Sequence, residues 1–144
     1  MALFAERTSV PTDRSRAQID KLLERHGARK YGTSVDYGRM LARVQFAFHD
    51  RIVRFTIALP NPEKFRSVAI YEQAVRQRWR ALLLVIKAKL ESVENQIATF
   101  EEEFMAHIVL PNDRTVGEIV LPQIAAAYTT GRMPKALNPA PEDA

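Results

Sequence analysis

Between Tyr71 and Ile108 the apolar side chains recur with the spacing of a single helix face. They fall at Val75, Trp79, Leu82, Ile86, Leu90, Val93, Ile97, Phe100, Phe104 and Ile108, and every step is three or four residues. A stripe of this length has to be buried, so the spacing predicts a long helix at the centre of the fold. Unbroken, that helix would run about 57 Å at 1.5 Å per residue. A 144-residue domain has a gyration radius of only about 15 Å. A break is therefore expected. Thr99 and Glu102 have capping-box spacing, which places the break at 95–99.

The period changes from 3.6 to 2 earlier in the chain. Met40, Ala42, Val44, Phe46 and Phe48 alternate with Leu41, Arg43, Gln45 and Ala47. After His49-Asp50, Val53, Phe55, Ile57 and Leu59 alternate with Arg54, Thr56 and Ala58. If His49-Asp50 is a two-residue turn, Phe48 faces Arg51, Phe46 faces Val53, Val44 faces Phe55 and Ala42 faces Ile57. Both apolar sets then lie on one side, as a half-buried hairpin requires. His-Asp is a poorer turn pair than Asn-Gly, so the register argues for the hairpin more strongly than the turn does. Residues 28–34 read as a preceding strand, joined through Asp36-Tyr37-Gly38.

A first helix is expected to about His26, with Ile19, Leu22 and Leu23 on its buried stripe. Ser15 with Gln18 has capping-box spacing, and Thr12 or Asp13 are alternative caps. Gly27 stands where a left-handed terminal residue is wanted. Pro60 and Pro62 end the hairpin, and Pro111-Asn112-Asp113 reads as a turn. Thr115 and Glu118 form a second candidate capping box, opening a last helix in which Pro122 should cause a kink or a delayed start. Gly131 and Pro134 close that helix.

The expected fold is α+β: an N-terminal helix, a three-stranded antiparallel meander, a long central helix packed on the sheet, a short helix and a C-terminal helix. The expected domain spans 12–133. Residues 1–11 read as a mobile arm and 134–144 as a disordered proline-rich tail. No stretch approaches the ~18 apolar residues of a membrane span. Glu6, Arg7 and Asp13 interrupt any apolar leader, and the chain has no cysteine. A cytoplasmic location is expected, with no membrane partner.

Three stretches are distinctive in wording: Arg76 to Glu91 (RQRWRALLLVIKAKLE), Thr99 to Phe104 (TFEEEF) and His107 to Pro111 (HIVLP). With Thr115-Val116-Gly117-Glu118, Pro122-Gln123-Ile124 and Gly131-Arg132-Met133-Pro134, they resemble a family of small uncharacterised proteins of tailed phages and prophages. The resemblance covers residues 15–137. It implies a viral or prophage origin and expression inside a bacterium. That family has no established activity, so no functional residue is carried over.

The sequence contains no catalytic motif, metal-ligand cluster or phosphate loop. A non-enzymatic binding protein without cofactor or metal is expected. With net charge +4, the chain suits a polyanionic partner. Arg43 and Arg54 are expected to point to water from the sheet face opposite the core, with Gln45 across from Arg54. Arg29 or Lys30 would join them. Arg76, Arg80 and Lys87 lie within about 40° on the long helix and make a second basic strip. Together these cations suit a nucleic acid bound through its phosphates, without base readout. The helix–three-strand–helix order is similar to that of double-stranded-RNA-binding domains, but the lysine-rich start of their last helix is missing.

The alternative is a protein-interaction module, binding a host protein or a second copy. Leu84 and Val85 lie outside the main stripe and, with the C-terminal helix, would form its surface. The plain alternative is that sheet and terminal helices bury the long helix on both sides. The acids Glu91, Glu94, Glu101, Glu102 and Glu103 read as helix-dipole and ion-pair partners. His26, His49 and His107 share no ligand spacing.

Overall fold

The computed structural model describes residues 13–137. Helix α1 (Asp13–Arg25) leads into strands β1 (Lys30–Asp36), β2 (Leu41–Phe48) and β3 (Arg51–Ala58). Helix α2 (Val68–Glu94), a short α3 (Phe100–Phe104) and a 3-10 turn (Met105–His107) follow. Strand β4 (Ile108–Val109), helix α4 (Val116–Thr130) and a 3-10 turn (Lys135–Leu137) complete the described chain. The class is α+β. The sheet is antiparallel, in the order β1-β2-β3-β4.

The hairpin register is the one its apolar alternation demands. Phe48 pairs with Arg51, Phe46 with Val53, Val44 with Phe55 and Ala42 with Ile57. Ala42, Val44, Phe46, Val53 and Phe55 are all buried. His49 and Asp50 both have left-handed backbones, φ 48° and 60°. Two positive φ values make a primed two-residue turn, whose twist matches the flanking strands. The His49 ring sits edge-on to Phe48 at 4.4 Å, which helps hold this unfavourable pair in place.

Both helices α1 and α2 lie on the apolar face of the sheet. The stripe Tyr71, Val75, Trp79, Leu82, Ile86 and Leu90 is buried along α2. Full burial of such side chains stabilises by roughly 1.5–3 kcal/mol each, before chain entropy is set against it. Ser67 caps α2 by accepting the Ile70 N–H at 3.2 Å. Ser15, an expected cap of α1, lies inside that helix instead, and Thr12 falls outside the described residues. The helix ends as its glycine requires. Gly27 has φ 90°, its N–H donates to Glu24 O at 3.1 Å, and Ala28 N–H reaches Leu23 O at 2.9 Å.

The long apolar stripe breaks where expected. After Glu94, Gln96 turns left-handed (φ 61°) and Ile97 N–H closes on Ser92 O at 2.9 Å. Thr99 and Glu102 then cap α3 reciprocally. This break lets Phe100 and Phe104 turn back onto the sheet. Phe100 stacks on Phe48 at 4.8 Å, and Phe104 meets Phe46 edge-on at 5.8 Å.

Two expectations need correction. The sheet has four strands, because Ile108 and Val109 pair with Val53 and Ile52. Ile108 continues the helical spacing of Phe104, so local periodicity conceals the strand. The terminal helices also do not enclose α2. Only α1 packs beside it, while α4 packs on the 105–107 turn and on β4. The entry of α4 is set by Gly117, where a Cβ would come within 2.8 Å of Ala106 O. Thr115 and Glu118 form the expected capping box, and the helix runs through Pro122 without a delayed start. Of the segment expected as a tail, Lys135–Leu137 form a 3-10 turn, and 138–144 lie outside the described residues. The arm expected at 1–11 also lies outside them. Among the described residues, no helix is long and apolar enough to cross a membrane.

Gln96 occupies a left-handed helix-end position that suits glycine. Gln96→Gly is expected to stabilise the protein by about 0.5–1 kcal/mol, read as a higher urea midpoint with an unchanged slope.

Candidate nucleic-acid interface

The sheet's outer face is less basic than its sequence implies. Arg54 does leave the hairpin on the side opposite the core, across from Gln45. It does not reach water: only 8% of the residue is exposed. The turn at 110–114 closes over it. Leu110 N–H donates to Arg114 O at 2.8 Å, and Asp113 takes a left-handed backbone, φ 65°. The Arg54 guanidinium then donates to Asp113 O at 2.9 Å, to Asp113 Oδ1 at 2.6 Å and to Gln45 Oε1 at 3.1 Å. This fork ties the 110–114 turn to the sheet, and the burial of the guanidinium under that turn keeps it from a surface phosphate.

Arg43 and Lys30 remain exposed on that face. Arg43 pairs with Ser34, and Lys30 pairs with Ala47. They stand one strand and four residues apart, about 14 Å at 3.4 Å per residue. They form no cluster. Arg29 and Lys30 instead line a cleft of about 580 Å³ at the hairpin end, with His26, His49 and Asp50 on its rim and Ala47 and Phe48 on its floor.

The helix layer brings cations together. Arg16 stacks over Trp79 at 5.5 Å, and His26 Nδ1 lies 3.9 Å from Glu94 Oε2. Low residue numbers of α1 meet low numbers of α2 and high meet high, so the two helices run in the same direction. Between them lies a groove of about 340 Å³, lined by Gln18, Lys21, Arg25 and Lys87 over a floor of Leu22, Leu83 and Leu84. On α1, Arg14, Gln18, Lys21 and Arg25 share a face within about 60°. On α2, Lys87 lines the groove, and Arg76 and Arg80 continue its face of the helix towards the N-terminus. Each of these six cations is exposed, and none forms an ion pair with a described carboxylate. Residues 73–90 contain no Asp or Glu at all. Glu91, one turn past Lys87, ends the strip.

The structure thus unites Arg76, Arg80 and Lys87, separates Arg43 from Arg29 and Lys30, and removes Arg54 from any surface. It adds Arg14, Lys21 and Arg25. Their i, i+4, i+7, i+11 spacing with Gln18 is visible in the sequence, but their partnership with α2 is not. Leu84 and Val85 are both exposed, 53% and 45%. Leu84 is part of the basic groove, while Val85 lies about 100° round the helix from it.

Glu102 and Glu103 are engaged within and beside α3. Lys89 Nζ donates to Glu103 Oε1 at 3.3 Å and to Glu103 O at 3.0 Å. Glu102 accepts from Thr99 N–H, which lowers its pKa. Among the described residues, no group of three His, Asp or Glu side chains is placed to hold a metal ion. His107 stacks on Phe55 at 4.0 Å. Burial lowers its pKa and the nearby Lys89 ammonium adds to the fall, opposed by a backbone hydrogen bond at Arg54.

The chain matches no protein-family model, no curated protein and no solved structure.

Arg54→Ala removes a fork of three hydrogen bonds, one of them charge-paired. It is expected to cost about 1.5–3 kcal/mol in urea unfolding. The His107 shift gives a second expectation. Its folded pKa lies below the unfolded value near 6.5, so the unfolded chain binds the proton first as pH falls. The stability it contributes is complete above about 6.5 and is lost as pH falls through the folded value. The urea midpoint of the wild type should therefore drop more between pH 7.5 and pH 5 than that of His107→Phe.

Proposed function

We propose that this protein binds nucleic acid, without sequence preference, through the basic groove between α1 and α2. The observation that supports this most is the layer of six exposed cations, contributed by two helices and forming no ion pair among the described residues. Each helix contributes a strip about 16 Å long, the span of eleven residues. A duplex presents one negative charge per ~1.7 Å of axis, so such a strip faces several phosphates at once. Lysine and arginine on helix faces supply point charges and forks to phosphate oxygens. The groove has leucines on its floor and no aromatic ring to stack on a base, so contacts position the nucleic acid without reading it. The mechanism is phosphate neutralisation with release of counterions. A small basic protein of this kind accords with the phage or prophage origin that its wording implies.

The second reading is a surface for another protein at Leu84 and Val85, supported by their exposure alone. Leu84 is surrounded by Arg80 and Lys87 in the helix's exposed strip, so an acidic partner would suit it.

Anisotropy of a labelled duplex of about 20 base pairs separates the readings. With six phosphate contacts, log K should fall against log salt with a slope near −5 between about 50 and 200 mM. Arg80→Ala and Lys87→Ala should each reduce the slope by about 0.9. Arg54→Ala should leave it unchanged. No binding at the lowest salt removes the proposal. A loss confined to Arg43→Ala moves the site back to the sheet.

A further inference from the structure

Helix α4 is the least explained part of the surface. Between Thr115 and Pro134 the chain has only two charged residues, Glu118 and Arg132. Yet the helix is held to the body by its start, through Gly117 against Ala106 and through β4. Further along it is open. Leu121 is 62% exposed, Tyr128 90% and Met133 61%. Leu121, Ile124, Ala125 and Tyr128 share one face within about 100°. A helix apolar over most of its circumference is normally covered. At its end the chain turns back at Gly131, and the 3-10 turn leaves a notch of about 390 Å³ against the helix, lined by Ile124, Ala127, Tyr128, Met133 and Leu137.

We propose that α4 is a dimerisation helix, covered by α4 of a second copy running antiparallel about a two-fold axis at Ala125. Three features select a second copy over another partner. First, the axis at Ala125 places Leu121 of each chain over Tyr128 and the notch of the other, a projection meeting a recess twice over, as isologous contacts require. Second, it brings Glu118 of each chain, whose carboxylate caps Thr115 N–H and lies 3.7 Å from Arg114 Nε of its own chain, level with Arg132 of the other. The two charges of the segment are of opposite sign and seven residues from Ala125 on either side. Third, the area is adequate. The exposed parts of Leu121, Ile124, Tyr128 and Met133 come to on the order of 500 Å² per copy, the larger part of the about 800 Å² per partner of a standard interface. Exposed Ala125 and Ala126 add to it, and an alanine at the crossing lets the axes approach to about 8 Å. This inference is independent of nucleic-acid binding, since α4 contributes no cation to the groove.

The full chain, free of nucleic acid, should sediment as a dimer at about 10 µM. Leu121→Glu should weaken the dimer by roughly 30-fold or more, because it buries an unpaired charge at an anchor, while Leu121→Met retains it. Leu121 is exposed in the single chain, so far-UV circular dichroism should not change, and the melting temperature of Leu121→Glu should be independent of protein concentration while that of the wild type rises with it. Because the chain has no cysteine, Ala125→Cys introduces a single thiol on the axis. Mild oxidation should link it into a covalent dimer, whereas Ser34→Cys on the outer sheet face should not link. A monomer at about 100 µM, a dimer indifferent to Leu121→Glu, or linkage at Ser34 in place of Ala125 overturns the proposal. A monomer would mean that another protein, or another segment of this chain, covers the helix.

Discussion

The pairing of Phe46 with Val53 and of Val44 with Phe55 governs the remainder of the molecule. A shift of one residue would turn every apolar side chain of the hairpin to the other face and leave α2 without a surface to cover. In the observed register the buried face receives Trp79, Leu82 and Ile86 from α2, and Phe100 and Phe104 from α3. The hairpin therefore decides which side the helices occupy. By default it also decides which side is left for polar groups.

That outer side is not simply solvent. Arg54 emerges there in the middle of a four-stranded sheet, beside the edge that β4 completes. A guanidinium in such a place can be hydrated or covered. The 110–114 turn covers it and supplies oxygens in the geometry of its fork. The same turn leads from β4 to α4, so one side chain helps aim the C-terminal helix. An arginine that appears available for a ligand is in fact a bracket between sheet and turn.

The helix layer shows the opposite case. No single helix has a commanding charge cluster. Arg14, Lys21 and Arg25 on α1 are separated by fifty or more residues of chain from Arg76, Arg80 and Lys87 on α2. The parallel packing of the two helices over a common apolar sheet turns two ordinary solvated faces into one basic groove. Three acids are held elsewhere, Glu94 near His26, Glu103 on Lys89 and Asp113 on Arg54, while Glu91 marks the end of the strip.

Local physics made much of the architecture legible from the residues alone. Period-2 alternation determined the hairpin and its register. Period-3.6 recurrence determined the long helix. Capping chemistry at Thr99, Thr115, Gly27 and Gly131 determined where helices start and stop, because a cap is satisfied by neighbours within four residues. Features that depend on distant chain segments were decided only by the tertiary fold. Strand β4 exists because β3 offers an unpaired edge, not because Ile108-Val109 demands it. The burial of Arg54 depends on an aspartate fifty-nine residues away. The basic groove and the uncovered face of α4 likewise depend on which helix lies beside which. Alternation and capping are properties of neighbours, whereas exposure is a property of the whole packed chain.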